Sequence, residues 1–332
     1  MKLATIGRGA IVDQAYRSFE DLEGITPVAV YSRTMEQAEE FAKKHNVPQA
    51  FDDLDTMLAS PDIDTVYIAS PNSLHVPQAR KALEAGKNVI LEKPFAATVK
   101  EGKELFELAE KNGVMIFEAI TSIHTPNFGL LKDNLYRVGQ IRECVFNFSQ
   151  YSRKYARYME GIVDNVFNPE MDGGALMDIN IYNIHLAVAL FGKPQSVHYT
   201  PLIGWNGIDS SGVLLMVYPD KIITAIGSKD SSCDYLAAIQ GETGTMRISK
   251  GSTGKMEYVD FVTPATENQN PEPEQISIDQ GLHMTYEFMD FLTALNENNQ
   301  EMYQAYKEET LAALEILEQA RAQIPAYQQE AK

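Results

Sequence analysis

The chain has 332 residues, 44% hydrophobic and 22% charged, and this length and composition indicate two globular domains. Its 28 basic and 46 acidic residues give a formal net charge of −18, which disfavours binding to nucleic acid or to an anionic membrane. The two cysteines, Cys144 and Cys233, lack metal-binding spacing, and we recognise no signal segment or spanning stretch. We therefore expect a reduced, cytoplasmic, soluble protein without a metal site.

The first third of the chain alternates between short apolar runs and helical patterns. Strands are predicted over residues 2–7, 26–32, 64–70, 88–93 and 114–119. Helices are predicted over residues 11–22, 35–45, 76–86 and 100–113. Thr34 and Gln37 have the spacing of a capping box, and Gly86 is placed to end the third helix. This alternation predicts a doubly wound parallel sheet, a Rossmann domain, over residues 1–120.

The remaining chain, residues 121–332, has a different pattern of predicted strands and helices. Strands without intervening helices are predicted over residues 141–152, 211–219, 221–228, 234–241 and 244–249. Helices are predicted over residues 175–191, 282–298 and 303–322. We expect an α+β domain that binds substrate and is built on a large, mainly antiparallel open sheet, with one face free to cover a partner.

A glycine pattern follows the first predicted strand and opens the first helix. Gly7 suits a tight turn, and Gly9 allows the backbone to approach a pyrophosphate at the helix N-terminus. Val12 stands where the dinucleotide fingerprint has its third small residue. Glycines also end strands for steric reasons alone, but the position favours a dinucleotide site. The loop assigned to the cofactor comprises Gly7, Arg8, Gly9, Ala10 and Ile11.

The end of the second strand bears on the choice between NADP and NAD. An acidic residue there usually binds the ribose 2′-hydroxyl of NAD, but residues 31–34 contain none. The hydroxyl of Ser32 and the guanidinium of Arg33 suit a 2′-phosphate, and Arg8 adds a second positive charge. The alternative is that Ser32 starts a turn and Arg33 is solvated. We expect NADP(H), with NAD(H) as the alternative.

Four segments resemble one family over almost the whole chain. They are "GRGAIV" (7–12), "SPNSLH" (70–75), "AGKNVILEKP" (85–94) and "GGALMDINIYNIH" (173–185). Together they resemble the Gfo/Idh/MocA oxidoreductases, named for glucose–fructose oxidoreductase, inositol dehydrogenase and rhizopine catabolism. The resemblance implies an NAD(P)-dependent oxidoreductase acting on a sugar, polyol, inositol or trans-dihydrodiol.

The resemblance also assigns roles to the charged end of the strand over residues 88–93. It implies that Glu92 accepts hydrogen bonds from ribose or carboxamide groups and that Lys93 reaches the oxygen of the reacting carbon. Pro94, often preceded by a cis bond in this family, would direct the lysine. Otherwise Glu92 and Lys93 form a surface salt bridge.

The segment after the strand over residues 64–70 is assigned to the nicotinamide ribose in the same way. Ser70, Pro71 and Asn72 form this turn, and Asn72 is a binding candidate. His75 matches a histidine of the family, although a structural role is equally open.

The helix over residues 175–191 carries the remaining chemistry. Asp178 and Tyr182 are four residues apart and share one face, with His185 near the same stripe. Burying polar groups on an apolar helix costs free energy unless they form hydrogen bonds. We therefore expect this face to line a substrate cavity opposite Lys93. Tyr182 stands where inositol dehydrogenases have histidine. A tyrosine at this position resembles the glucose–fructose oxidoreductase and dimeric dihydrodiol dehydrogenase branch. "EAITSIHTP" (118–126) resembles that branch too, but Ile123 replaces its arginine.

The mechanistic hypothesis follows from these three groups. Hydride passes to nicotinamide C4 while Tyr182 takes the hydroxyl proton; an ordinary tyrosine has a pKa near ~10, and the Lys93 cation would favour the phenolate. Asp178 orients the substrate or Lys93. An equally admissible version gives the proton transfer to Lys93. His124 is expected to be a core or cavity-lining residue, and Arg153, Lys154 and Arg157 to be solvated.

Two alternatives to an ordinary dehydrogenase stay open. One is a non-catalytic NAD(P)-binding regulator, and the other is a transhydrogenase that retains its cofactor and couples two sugars. The partners expected are a small-molecule substrate and a second copy of the chain, as a homodimer or homotetramer through the C-terminal sheet. The substrate depends on loops whose positions the sequence does not fix.

Overall fold

The computed structural model describes residues 1–20, 22–234, 237–266 and 270–327. Strands in these residues are β1 Lys2–Ile6, β2 Thr26–Tyr31, β3 Gln49–Phe51, β4 Thr65–Ile68, β5 Asn88–Glu92, β6 Ile116–Ala119, β7 Ile141–Ser149, β8 Ser196–Ile203, β9 Asp209–Val217, β10 Ile222–Ser228, β11 Ala237–Gly241, β12 Thr245–Lys250, β13 Tyr258–Val262 and β14 Glu274–Gln275. Helices are α1 Ala10–Phe19, α2 Met35–His45, α3 Leu54–Leu58, α4 His75–Glu84, α5 Val99–Asn112, α6 Pro126–Asn134, α7 Tyr155–Met159, α8 Ile181–Phe191, α9 Met284–Asn296 and α10 Gln300–Arg321. A π-helical turn, Leu176–Asn180, directly precedes α8.

The chain forms two compact units that differ from the predicted division in one segment. The first unit is Met1–Ala119 with Leu282–Leu311, and the second is Ile120–Gly281 with the chain from Ala312 onward. Leu282–Leu311 belongs to the first unit because α9 buries its aromatic side chains there. The Phe288 ring lies 4.7 Å from that of Phe19 and 5.4 Å from that of Tyr67. The sequence pattern shows that α9 is amphipathic but does not name the surface it packs against.

The first unit contains the predicted doubly wound parallel sheet. Its six strands are all parallel, in the order β3-β2-β1-β4-β5-β6. The connections reverse direction between β1 and β4, and in such sheets ligands bind outside the carboxyl ends of the strands at this point. β3 and α3 were not predicted, because three and five residues are too short to show a periodic pattern. One residue of the predicted helix over 11–22, residue 21, lies outside the described residues.

Predicted cap residues lie at the helix ends where we expected them. The Thr34 side chain accepts a hydrogen bond from the Gln37 amide at 3.4 Å, which is half of a capping box. The other half is absent from the described bonds, since the Gln37 side chain instead accepts from the Ser32 hydroxyl. Gly86 follows α4 with φ of 69°, a positive φ that suits glycine at the C-terminal cap of a helix.

The second unit is built on one eight-stranded sheet. Its order is β14-β13-β12-β11-β7-β10-β9-β8, and every described pair is antiparallel except β7 with β10. The prediction of a mainly antiparallel open sheet is therefore confirmed. β8, β13 and β14 were not predicted. The predicted strand over 234–241 begins at Ala237 in the structure, and its residues 235–236 lie outside the described ranges.

The segment Pro169–Phe191 corrects one sequence expectation. Within the described residues it is the one segment long and apolar enough to cross a membrane, although we expected none. However, 72% of its most apolar window is buried inside the protein. A helix buried to this extent is a core helix of the second unit, and α8 packs there against β7 and β10.

Candidate active site

The loop after β1 has the geometry that a pyrophosphate needs. Gly7 has φ +114°, and a Cβ at this position would lie 2.5 Å from the Ala69 carbonyl oxygen. Val12 is buried with its Cγ2 3.6 Å from the same point, so a valine is accommodated in place of the third small residue. Gly9 precedes α1, where no side chain caps the helix, and a Cβ there would meet no atom within 4 Å. The first turn of α1 is thus open to an anion. Arg8 and Ala10 are exposed, and Ile11 is half-buried.

The two glycines give a matched pair of substitutions. Gly9→Ala is expected to leave the melting temperature nearly unchanged and to weaken NADPH binding by about 10- to 100-fold, because the new Cβ occupies the approach of the pyrophosphate. Gly7→Ala is expected to destabilise the fold by about 3 kcal/mol or more, because it adds a backbone clash to a left-handed φ. Thermal denaturation and fluorescence titration with NADPH check both. Unchanged NADPH affinity in Gly9→Ala would contradict the assignment.

The end of β2 contains the two residues assigned to a 2′-phosphate, and they differ in exposure. Ser32 is 7% exposed, and its hydroxyl donates to the Gln37 side chain at 3.2 Å. Arg33 is exposed. Arg33 is thus accessible from solvent, and the Ser32 hydroxyl bonds to the first turn of α2; their contact with a 2′-phosphate stays a prediction.

The segment after β4 includes His75, which the sequence assigns to the cofactor. The structure places His75 in the interior, 1% exposed, with Nδ1 2.9 Å from the Pro94 carbonyl oxygen and Nε2 3.0 Å from that of Ser70. Burial lowers the pKa of His75 and favours the neutral ring, which donates one hydrogen bond. His75 thus ties the loop after β4 to the loop after β5. Pro71 and Asn72 are half-buried in the same loop.

The carboxyl end of β5 carries Glu92 and is followed by Lys93, the first residues of the candidate catalytic site along the chain. Glu92 is 8% exposed; its carboxylate accepts from the Tyr67 hydroxyl at 2.6 Å and from the Lys93 amide at 3.3 Å. Burial raises the pKa of Glu92, and attraction to Lys93 opposes this rise. Lys93 is half-buried, and the Lys93–Pro94 peptide bond is cis.

A second carboxylate supports the same loop. Glu118 on β6 is 5% exposed and accepts from the Phe95 amide at 2.9 Å. The described bonds of Glu92 go to protein donors within the first unit, and its attraction to Lys93 links the two charged residues at this strand end. The binding of Glu92 to ribose or carboxamide groups stays a prediction.

A surface cavity of about 330 Å³ lies at the opposite edge of the parallel sheet. It is lined at the amino ends of the strands by residues such as Thr65, Asn88 and Met115. Ligands of doubly wound sheets bind at the carboxyl ends, so we do not assign the active site to this cavity.

In the second unit, the predicted catalytic residues lie at the start of the α8 segment. Asp178 falls in the π-turn, where we expected a regular α-helix from residue 175, and such turns are frequent at functional sites. Tyr182 is half-buried on the first turn of α8. Its ring lies 5.4 Å from that of Phe148, and its Cδ1 is 3.1 Å from the Cβ position at Gly254.

Two asparagines that the sequence analysis did not single out anchor this segment to β10. Asn180 and Asn183 are fully buried and donate to the carbonyl oxygens of Ala225 and Ile226 at 3.3 and 3.0 Å. The backbone approaches closely at Gly227, where a Cβ would lie 2.7 Å from that of Asn180. The sequence could have indicated this anchor, because two asparagines three residues apart in an otherwise apolar helix need hydrogen-bond partners when they are buried.

A lysine and an aspartate next to the π-turn were also missed. Lys229 directly follows β10, and its ammonium donates to Asp178. Asp209 at the start of β9 is fully buried and accepts from the Leu176 amide and the Tyr199 hydroxyl, both at 2.7 Å. The signal for Lys229 was the same as for Lys93, a charged residue directly after a buried strand.

The burial of Asp209 gives a pH-dependent prediction. Burial raises its pKa from 3.8 to about 7, so the folded protein keeps a proton that the unfolded chain loses near pH 4. The stabilisation that the folded protein gains from keeping this proton is fully present below pH 4 and is lost as the pH rises to about 7. Relative to Asp209→Asn, the free energy of unfolding of the wild type should fall by roughly 4 kcal/mol over this range. Urea denaturation at several pH values measures it; exposed Asp62→Asn is the control, and a pH-independent difference would contradict it.

The other polar residues considered from the sequence are buried in the core, paired with a carboxylate or exposed. His185 is fully buried and His124 is 9% exposed, which fits core positions. Lys154 and Arg157 both form ion pairs with Asp164, at 3.7 and 3.0 Å. Arg153 is exposed. Among the described residues, no group of three or more His, Cys, Asp or Glu could hold a metal ion.

Comparison with known proteins agrees with this architecture. Residues 1–120 match the sequence model of the GFO/IDH/MocA oxidoreductase family, NAD-binding Rossmann fold, and residues 136–247 match the GFO/IDH/MocA C-terminal domain. The scyllo-inositol 2-dehydrogenase (NADP(+)) IolU of Bacillus subtilis is 38% identical over 325 residues, covering 98% of this chain and 97% of its own. The human trans-1,2-dihydrobenzene-1,2-diol dehydrogenase is 26% identical, covering 90% and 88%.

A solved structure shows the same fold. KijD10, a 3-ketoreductase from Actinomadura kijaniata in complex with NADP and TDP-benzene, superposes with a TM-score of 0.84 and covers 97% of each chain. Its sequence is 20% identical, so this likeness concerns the fold alone.

Proposed function

The chain belongs to the Gfo/Idh/MocA oxidoreductase family, and from this premise we propose that it exchanges hydride between NADP(H) and a ring carbon of a cyclic polyol or sugar. It is an NAD(P)-dependent oxidoreductase acting on a hydroxyl or carbonyl carbon. Inositols are the first substrate class, because a relative matching nearly the whole chain carries that activity in its name. Sugars and trans-dihydrodiols are the other classes.

The observation that carries the proposal is the pair of charged residues, Glu92 and Lys93, at the end of β5. Lys93 is half-buried beside the Glu92 carboxylate, at the strand edge where doubly wound sheets bind ligands. A lysine held there is suited to polarise the oxygen of the reacting carbon. Bound NADP supplies the hydride acceptor or donor.

The proposed roles of the remaining residues follow from their chemistry. Tyr182 exchanges the hydroxyl proton with the substrate, and Lys93 stabilises the developing negative charge on the oxygen. Asp178 accepts a hydrogen bond from a second substrate hydroxyl and so orients the ring. In the other version of the mechanism, Lys93 exchanges the proton and Tyr182 donates a hydrogen bond.

The proposed cofactor preference rests on the end of β2 and on the relatives. Residues 31–34 contain no carboxylate that would repel a 2′-phosphate, and the Arg33 guanidinium is exposed. IolU carries NADP(+) in its name. We propose Gly7, Arg8, Gly9, Ala10 and Ile11 as the pyrophosphate loop, and Arg33 as the phosphate-binding residue.

A substrate screen tests the function. The purified protein is incubated with scyllo-inositol, myo-inositol, aldoses and a trans-dihydrodiol, each with NADP⁺ or NAD⁺, and reduced nicotinamide is followed by absorbance. The same reactions with Lys93→Met correct for contaminating enzymes. Turnover of an inositol with NADP⁺ is expected; NADPH binding without turnover of any compound, in either direction, would overturn the proposal.

The same screen separates the two alternatives raised by the sequence. A regulator would bind NADPH without any turnover, and the comparisons give that alternative no support. A transhydrogenase would require two sugars together and would release its cofactor slowly, which rapid gel filtration after one turnover measures.

The sheet of the second unit offers a surface for a second copy of the chain. One face is covered by α8, whereas the other carries a mainly apolar stripe of exposed and half-buried residues on β9 and β10. Across it Ile226 pairs with Val213, Thr224 with Leu215 and Ile222 with Val217. We propose that this face forms the homodimer interface; a tetramer would need a further surface.

A charge-introducing variant tests the interface. Val213→Lys combined with Ile226→Lys is expected to lower the mass measured by light scattering to that of a single chain, because buried unpaired ammonium groups are costly at an interface. Met289→Lys places the same charge on an exposed apolar position of α9 and is expected to leave the mass unchanged. A double-lysine variant with wild-type mass would contradict the assignment.

We propose a cytoplasmic location. Cys144 is buried and Cys233 is exposed, and both are free. Burial raises the pKa of Cys144 to about 12, so this thiol is unreactive.

A further inference from the structure

Lys229 of the second unit is held by backbone hydrogen bonds and by burial of its side chain. Its amide donates to the Ser210 carbonyl oxygen at 2.8 Å, and its own carbonyl oxygen accepts from the Ser152 amide at 2.8 Å. The side chain is 4% exposed. Both the backbone and the stem of this lysine are therefore held in place.

The ammonium of Lys229 is buried beside the candidate site. It donates to the Asp178 carboxylate, whose side chain is 30% exposed, and its Nζ lies 5.5 Å from the centre of the Phe167 ring. A buried ammonium is costly unless it is paired, so Asp178 is the anion that compensates Lys229. The fully buried Asp209, when it is ionised, adds a further attraction to Lys229.

We propose that Lys229 is a positioning residue for the dehydrogenase reaction, which holds Asp178 in one orientation and keeps it a carboxylate that accepts hydrogen bonds from substrate hydroxyls. Asp178 then takes no part in proton transfer, which is left to Tyr182 or Lys93. This inference rests on the proposed function.

The surroundings contain few other groups that titrate. Asp209 lies on β9, Tyr182 and His185 lie on α8, and Asp230 follows Lys229 in sequence. The Asp230 carboxylate accepts from the hydroxyls of Ser210 and Ser228 at 2.7 and 2.8 Å and points into this serine cluster. β7 contributes the uncharged Phe148 next to Tyr182.

A double-mutant cycle on the holoenzyme tests the proposal. Lys229→Met is expected to lower kcat/KM by about 10- to 100-fold, as for the loss of a hydrogen bond to a charged group. In the background of Asp178→Asn the same substitution should cause little further loss, because Lys229 acts through Asp178. Losses that multiply in the double variant, or normal kinetics in Lys229→Met, would overturn the proposal.

Lys221 provides a matched control. Its side chain is 14% exposed, it pairs with Asp220 at 2.6 Å, and its Nζ lies 5.3 Å from the Phe191 ring centre. Lys221→Met thus removes a similarly shielded ammonium, ion pair and ring contact, but none to Asp178. It is expected to change thermal stability without changing kcat/KM or its pH profile.

A readout that needs no substrate distinguishes this proposal from the proposed function. Isotope-edited infrared spectroscopy follows the Asp178 carboxylate band, identified by its loss in Asp178→Asn. In Lys229→Met the pH at which this band protonates should rise, because an opposing cation is removed. An unchanged titration would overturn the inference even if the enzyme is active, and a shifted titration would support the pairing even if no substrate is found.

Discussion

Replacing Lys93 by methionine is expected to lower kcat by about 10²- to 10⁴-fold, whether the ammonium stabilises the developing negative charge or exchanges the proton. Lys93 follows β5, and its ammonium attracts the buried Glu92 carboxylate at the end of that strand. Methionine keeps much of the apolar stem but removes the positive charge, so the oxygen of the reacting carbon loses its partner. Steady-state kinetics on the substrate found in the screen measure the effect.

The loss should be confined to the chemical step. NADPH affinity, measured by fluorescence titration, is expected to change by less than about tenfold, because the loop around Gly9 is untouched. Lys100→Met makes the same substitution on a side chain that is 85% exposed and should behave as the wild type. Normal kcat in Lys93→Met would remove Lys93 from the mechanism.

Replacing Tyr182 by phenylalanine is expected to lower kcat by about 10²-fold or more at neutral pH and to abolish one limb of the pH–rate profile. The substitution keeps the ring contact with Phe148 and removes only the hydroxyl that exchanges a proton with the substrate. Stopped-flow measurement of hydride transfer over a range of pH checks this directly.

The two variants together decide between the two versions of the mechanism. Near-wild-type turnover in Tyr182→Phe, with Lys93→Met inactive, would assign proton transfer to Lys93. Tyr136→Phe is the matched control, because Tyr136 is 81% exposed in the same unit. A large loss in this control would show that the assay responds to something other than the hydroxyl of Tyr182.

Local patterns predicted the features that local sequence determines. The strand–helix alternation predicted the parallel sheet. The pair Gly7 and Gly9 marked its first turn, because a positive φ favours glycine at position 7 and the absence of a side chain at position 9 leaves the helix N-terminus open. The Glu92–Lys93 pair was recognisable because charged residues rarely end a buried strand.

Features that depend on distant residues were not predictable in the same way. Nothing in the sequence of α9 says that Phe288 packs against Phe19 and Tyr67 of the first unit. The two roles left open for His75 could not be separated for a similar reason, since its ring nitrogens lie near carbonyl oxygens of two separate loops. The pairing of Lys229 with Asp178 joins residues 51 positions apart, and only the tertiary structure reveals it.

The parallel pairing of β7 with β10 has a consequence for how the second unit folds. Ile222 pairs with Glu143, so the central contact of this sheet closes a loop of 222 − 143 = 79 residues, and such non-local pairings form slowly. The polypeptide enclosed in that loop includes α8. Because α8 packs against both β7 and β10, the packing of the segment that carries Asp178 and Tyr182 is complete only after this closure. During refolding, catalytic competence should therefore return only with the slow kinetic phase that closes the loop.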